Sequence, residues 1–422
     1  MRRGTTLIHK VPVAKLEPQM RLGKTLYGTH GEVLLKRGSE LGREYVAALR
    51  QRGFHAVYVQ DGIADDVEPI GIISERLRVA NVRNVQTLYE LMAEATQDVR
   101  DQVAKQGAHV LPEVPLDIGE GITRQLQQLD RDAEELLDEG LETKTLAGIA
   151  SLKSHDNYTF EHSVDVAFYG VVLGRRMALE RAYLKDLAVG CLLHDIGKMY
   201  IDDRILTKPG KLTAKEFEQI KQHTVLGFQM LRQMPFDSPR PPQVALQHHE
   251  HQDGSGYPSK LFGTNQIYRT PPERFSPRRI TLLAELGAVA DVCSALSSDR
   301  PYRAALPTPE VVRLLREMSG KHLNTEAVDA FIGMVELFPI GVAVRVSGGK
   351  YDRCLGVVVG SSPRRRDRPV VRLLFGRDAK PLGEGMEVKL QDQPDSVELH
   401  TLPEIGGSLV EQAFRLASGG AA

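Results

Sequence analysis

His194-Asp195-Ile196-Gly197-Lys198 and His248-His249-Glu250-His251-Gln252-Asp253-Gly254-Ser255-Gly256-Tyr257-Pro258 are the stretches on which the reading of this chain turns. Both lie within residues 146 to about 338, a segment of strongly helical patterning that holds most of the histidines. His162, His223 and Asp291 stand in the same segment. Imidazole nitrogen and carboxylate oxygen suit first-row divalent ions such as Fe, Mn, Ni and Zn. Together His162, His194, Asp195, His223, His248, His249 and Asp291 are more groups than one four- to six-coordinate ion needs, and about enough for two ions sharing a ligand. A carboxylate can bridge through its two oxygens where a neutral imidazole does not, so Asp195 is the natural bridge.

Two ions about 3.5–4 Å apart can hold a hydroxide between them and clamp the oxygens of an in-line displacement. A phosphodiester suits such a site, because its negative charge repels a nucleophile until cations neutralise it. Lys198 follows His194 by one helical turn and can face the same cavity, its ammonium meeting a non-bridging phosphate oxygen. Asp195 and Lys198 are therefore the candidate catalytic residues. Each piece alone has a plainer reading. A single His-Asp pair is commonplace, His248-His249 could end a helix in solvent, and His223 could be a surface helix residue. His9, His30, His55, His155, His251 and His322 read as structural or exposed.

Outward from this segment the chain changes character. Residues 1–67 read as a small α+β module, with strands at 7–11, 22–27, 32–35 and 56–59 and a helix from Glu40 to Arg52, capped by Ser39 and ended by Gly53. Residues 68–145 read as polar connecting helices, interrupted at Leu111-Pro112-Glu113-Val114-Pro115. A coiled, dimerising reading of them needs more heptads than the pattern offers. After the 146–340 segment, residues 341–405 read as a small β appendage, with strands at 342–346, 355–359, 370–375 and 386–390. Arg364-Arg365-Arg366 reads as a solvated turn, and residues 406–422 as a tail.

Of 422 residues, 41% are hydrophobic and 26% charged, which is ample for a globular core. A net charge of -1 argues against nucleic-acid binding, so a small anionic ligand would need a local positive site. Cys191, Cys293 and Cys354 form no CxxC pair, which argues against disulfides and thiolate zinc and points to the cytoplasm. No apolar run is long enough for a membrane span, and the N-terminus lacks the apolar core of a signal peptide.

The pairing of HDIGK with HHEHQDGSGYP resembles the HD-GYP domain, a branch of the HD metal-dependent phosphohydrolases. The resemblance covers about residues 146 to 340; residues 5–67 resemble, more weakly, a module found ahead of such domains. It implies a mainly α fold, an all-helical HD-type bundle, and hydrolysis of cyclic di-GMP to linear pGpG and often onward to GMP. It also implies that His162, His194, Asp195 and Asp291 hold one metal, and Asp195, His223, His248 and His249 the second, with Fe or Mn favoured over Ni or Zn. Lys198 would orient the scissile phosphate, Gly256, Tyr257, Arg300 and Arg303 would contact substrate, and Glu250 would steady a ligand imidazole. Asp253 is expected to hydrogen-bond within the loop.

Three positions depart from the family pattern. Tyr158 replaces a glutamate that in some members ligates a third metal, so two metals are expected. Ser294 and Ala304 replace a common aspartate and a common lysine. Ser294 and Ala304 support a competing reading, a cyclic di-GMP-binding sensor or adaptor with weak turnover. A third reading is a hydrolase of another cyclic dinucleotide such as cyclic GMP-AMP. The N-terminal module and the glycine-rich loop are the candidate protein-binding surfaces, and residues 70–145 the candidate homodimer contact.

Overall fold

The structure is a computed structural model that describes residues 8–27, 32–51, 56–60, 73–98, 118–143, 146, 158–208, 210–268, 276–298, 305–362, 365–378 and 380–402. Its centre is a helix, α4 (Tyr158–Arg176; α1 to α3 are placed below). Val164, Val166, Ala167, Phe168, Tyr169, Val171, Val172 and Leu173 are all buried, so this helix is apolar around most of its circumference and has to sit inside a bundle. It packs against α5 (Arg181–Leu192) and α9 (Leu282–Ser297). A short α6 (Asp203–Leu206), then α7 (Ala214–Leu231) and α8 (Arg240–Gln247) complete the wall around the histidines. The last described helices are α10 (Thr308–Met318) and α11 (Thr325–Ile332).

The start of α7 is held by a reciprocal cap: Thr213 accepts from the Glu216 N–H while Glu216 accepts from the Thr213 N–H. Such a box satisfies two orphan donors at once. Lys208 ties the same carboxylate from outside at 2.7 Å. The register of the helix that carries His223 is thereby set at its first turn.

Two long helices, α2 (Glu75–Ala95) and α3 (Glu120–Glu142), occupy the stretch expected to connect the domains. Leu88, Met92, Leu129, Leu136 and Leu137 are fully buried in the same core cluster as α4. These helices are thus part of the bundle's own core. No described helix is long and apolar enough to cross a membrane.

The N-terminal unit has a sheet ordered β1-β5-β2, from Ile8–Pro12, Ala56–Gln60 and Arg21–Leu22, plus a hairpin of β3 (Leu26–Tyr27) and β4 (Val33–Leu35). The expected single strand at 22–27 is split in two. The expected helix from Glu40 starts instead with α1 at Arg43 and ends at Gln51. The reason is that residues 39–41 run extended beside residues 20–22: Leu22 N–H bonds Ser39 O at 2.8 Å and Leu41 N–H bonds Met20 O at 2.7 Å. Ser39 therefore serves this pairing and is no helix cap. Arg52 and Gly53 lie outside the described residues.

The C-terminal unit is a five-stranded antiparallel sheet ordered β10-β6-β7-β8-β9. Its strands are Ala343–Ser347 (β6), Leu355–Gly360 (β7), Val370–Phe375 (β8), Pro381–Lys389 (β9) and Glu398–Thr401 (β10). The expectation missed β10, a polar edge strand, and started β9 at Met386, five residues late.

Candidate metal centre

His162 sits in the second turn of α4, His223 in the middle of α7 and Asp291 in the middle of α9. His194 and Asp195 follow the end of α5, where the chain tightens into a 3-10 turn over Ile196–Tyr200. His248 caps the C-terminus of α8 and His249 follows it. Gly197 sets the distance between the 3-10 turn and α7. A Cβ placed there would lie 2.0 Å from His223 O and 2.6 Å from Gly227 N, so only glycine admits this approach.

These elements bring the seven expected groups into one cluster. Ligand atoms of His162, His194 and Asp195 lie within 4.8 Å of one another, as do those of His223, His248 and His249, and those of His194, His248 and Asp291. Asp195 is central. Its Oδ2 lies 3.3 Å from His194 Nε2, and its Oδ1 lies 3.5 Å from His223 Nε2 and 3.9 Å from His248 Nε2. His162 Nε2 meets Asp291 Oδ1 at 3.0 Å.

The far side of each ring explains this aim. His194 Nδ1 donates to Cys191 O at 2.7 Å, His223 Nδ1 to Ile220 O at 2.6 Å and His248 Nδ1 to Ala245 O at 2.9 Å. A carbonyl only accepts, so each of these Nδ1 atoms carries a proton and each Nε2 turns inward; a neutral ring held this way presents a bare Nε2. Burial drives His223 down to about 3 and His248 down to about 4, and pushes His249 well below the ordinary imidazole value; the neighbouring histidines and Lys198 add to this. His194 goes the other way, because Asp195 outweighs its burial. Burial alone would raise Asp195 and Asp291, yet His194 with Lys198 in the one case and His162 in the other hold them low.

His223 Nε2 and His248 Nε2 face each other at 3.3 Å. With both rings neutral and both Nδ1 protons engaged, two lone pairs point at each other across that gap. His194 Nε2 and Asp195 Oδ1 are buried without a hydrogen-bond partner. Converging lone pairs on His223 and His248, an orphaned Asp195 oxygen and ionised carboxylates leave this donor set unsatisfied by protein alone, and divalent cations satisfy it.

Around the cluster, Lys198 Nζ contacts Asp195 Oδ2 at 2.6 Å and is 31% exposed, which puts a cation at the rim. Ser294 is hydrogen-bonded to His162 Nδ1 at 2.9 Å, so a hydroxyl orients this ring. Glu250 does not steady an imidazole as expected. Its carboxylate accepts from the backbone N–H of Ser259 at 2.6 Å and Leu261 at 2.8 Å, bracing the loop from below. Asp253 accepts from Ser255 N–H at 2.9 Å, a turn within the loop. Gly256 is buried against backbone, where a Cβ would lie 2.5 Å from His249 O. The Tyr257 ring lies 4.8 Å from that of His249 at 30°. Arg300 and Arg303 lie outside the described residues.

Residues 148–267 match the HD domain family. Over 235 residues the chain is 37% identical to a cyclic di-GMP phosphodiesterase of Pseudomonas aeruginosa, covering 56% of this chain and 52% of that protein. It is 37% identical over 180 residues to a cyclic di-GMP phosphodiesterase of Thermotoga maritima, covering 42% and 45%. A 3'3'-cGAMP-specific phosphodiesterase of Vibrio cholerae matches at 33% over 183 residues, covering 43% and 36%. The chain thus spans about half the length, or less, of these relatives.

Proposed function

Because residues 148–267 belong to the HD domain family and carry the HD-GYP signature, we propose that this chain is a metal-dependent cyclic di-GMP phosphodiesterase releasing pGpG and, by a second cut, GMP. The observation that carries the proposal is the division of labour at Asp195: one oxygen turned to His194, the other to His223 and His248. That division supports two ions, one held by His162, His194, Asp195 and Asp291, the other by Asp195, His223, His248 and His249. Fe or Mn is the favoured identity, with Ni and Zn also matching the donors. Bound there, divalent ions supply Lewis acidity toward the phosphate and lower the pKa of water at neutral pH.

The remaining work falls to the chain. Cys191, Ile220 and Ala245 carbonyls keep three imidazoles turned inward before substrate arrives, so no reorientation is needed during reaction. Lys198 at the rim shares its ammonium between Asp195 and a non-bridging phosphate oxygen, fixing the diester for in-line attack. Residues 1–67 act in this reading as a regulatory module. Their deletion with unchanged activity, oligomeric state and partner binding would remove that role.

The test is chromatographic. Purified protein is incubated with cyclic di-GMP and Mn²⁺ or anaerobic Fe²⁺, beside a His194→Ala/Asp195→Ala control. Product that vanishes in the control supports the hydrolase. Ligand binding without product would favour the sensor reading. The similarity to a cGAMP-specific enzyme makes cyclic GMP-AMP the competitor substrate for the same assay.

A further inference from the structure

Helix α7 carries an aromatic residue that the bundle does not use. Phe217 is 43% exposed, with Glu216 and Glu218 as neighbours in sequence, and it adds nothing to the core cluster. It is not isolated, however. Its ring meets that of Tyr257 edge to face, centroids 6.2 Å apart at 81°. Tyr257 in turn lies over His249, and the His249 ring is 5.2 Å from that of His223. A row of rings therefore runs outward from the histidine cluster to the surface and ends at Phe217.

Lys221, one helical turn after Phe217, sets a cation against both rings: Nζ is 4.7 Å from the Phe217 centroid and 5.5 Å from that of Tyr257. One of its donors is taken by Glu218 at 2.7 Å. An ammonium has three, so two remain for another acceptor. An exposed aromatic ring with a cation against it, one ring removed from His249, has the chemistry of a nucleobase subsite. Bases stack on such rings, and a lysine beside the stack matches the paired O6 and N7 acceptors of guanine, whereas adenine offers an amino donor in place of O6.

We propose that Phe217, with Tyr257 and Lys221, forms a stacking platform that holds a guanine base of the substrate while its phosphate lies at the histidine cluster. This rests on the hydrolase reading above and adds to it the residues that hold the base. Phe217 and Lys221 are binding residues that leave the metal ligands untouched, so their effect falls on KM more than on kcat.

The test uses the full chain loaded with Mn²⁺. Phe217→Ala, Phe217→Trp and Lys221→Ala are compared with the parent for cyclic di-GMP kinetics, and for GMP and AMP binding by calorimetry. One base–aromatic stack is worth about 5- to 150-fold in affinity, so Phe217→Ala raises KM and the GMP Kd within that range. Phe217→Trp restores both, and Lys221→Ala narrows the preference for GMP over AMP about tenfold. KM and Kd within twofold of the parent in Phe217→Ala, or a loss that tryptophan does not restore, overturns the platform. Hydrolysis that proceeds with no Phe217 dependence leaves the hydrolase reading standing without the platform. GMP binding that depends on Phe217, in a protein that never cuts cyclic di-GMP, leaves the platform standing without the hydrolase.

Discussion

Replacing Gly197 with alanine adds one methyl group at a point where two backbones already touch. The new Cβ would lie 2.0 Å from His223 O, and ordinary contact begins near 3.4 Å, so the 3-10 turn and α7 have to separate by about 1.4 Å (3.4 − 2.0). Neither neighbour is a flexible side chain that could swing away, because Gly227 N closes the other side at 2.6 Å. Overpacking of this kind costs about 1–3 kcal/mol of stability. The consequence for the site is larger. The turn carries Asp195 and the helix carries His223, now 3.5 Å apart, and a shift of about 1 Å near a reacting centre can cost about 100-fold in rate. The expected result is a folded protein with a lowered melting temperature, reduced bound metal by elemental analysis and at least about 100-fold slower hydrolysis. Metal content and turnover within twofold of the parent would refute the claim that this approach sets the site.

Asp195→Ala removes the carboxylate shared between both halves of the cluster. It should abolish turnover and lower bound metal toward one ion or none; near-normal activity would disprove the two-ion assignment. Lys198→Ala should keep the metal content and slow hydrolysis by about 100- to 1000-fold, the usual worth of one positioned donor, as read by kcat at saturating metal. Ser294→Ala takes away a hydroxyl hydrogen-bonded to His162 Nδ1, and metal affinity should fall about 10- to 100-fold in a chelator competition. The metal-free protein should also be acid-sensitive. His223 and His248 titrate near 3 and 4 in the fold against 6.5 when unfolded, so their contribution is complete above about pH 6.5 and is lost as pH falls toward 4 and 3. From pH 6.5 to 5 the two together lose at most about 4 kcal/mol (2 × 1.36 × 1.5). An equal or higher urea midpoint at pH 5 than at pH 7 would contradict this.

The histidine and aspartate cluster was legible in the sequence because its chemistry resides in residue identity. Seven hard or borderline donors in one helical segment have few other uses, and the fold brings all of them together. Glu250 was misread because adjacency to His249 says nothing about which donors come near its carboxylate, and the loop returns Ser259 and Leu261 to it. Phe217 carries no sequence signal, since an aromatic on an amphipathic helix reads as core until its exposure is known. The stripe of Leu129, Leu136 and Leu137 was visible as a helix face, but a stripe does not name the surface it will cover. Strand β10 escaped because Glu398, Leu399, His400 and Thr401 offer one apolar residue to a search for alternation.

The carbonyls that turn His194, His223 and His248 inward each belong to the residue three positions earlier. No substitution at Cys191, Ile220 or Ala245 removes a main-chain oxygen. A change of side chain at these three positions therefore leaves the acceptor of each ring in place. His162 differs from these three in that its Nδ1 is hydrogen-bonded to a side chain 132 residues along the sequence, so a codon change at Ser294 bears directly on this ring.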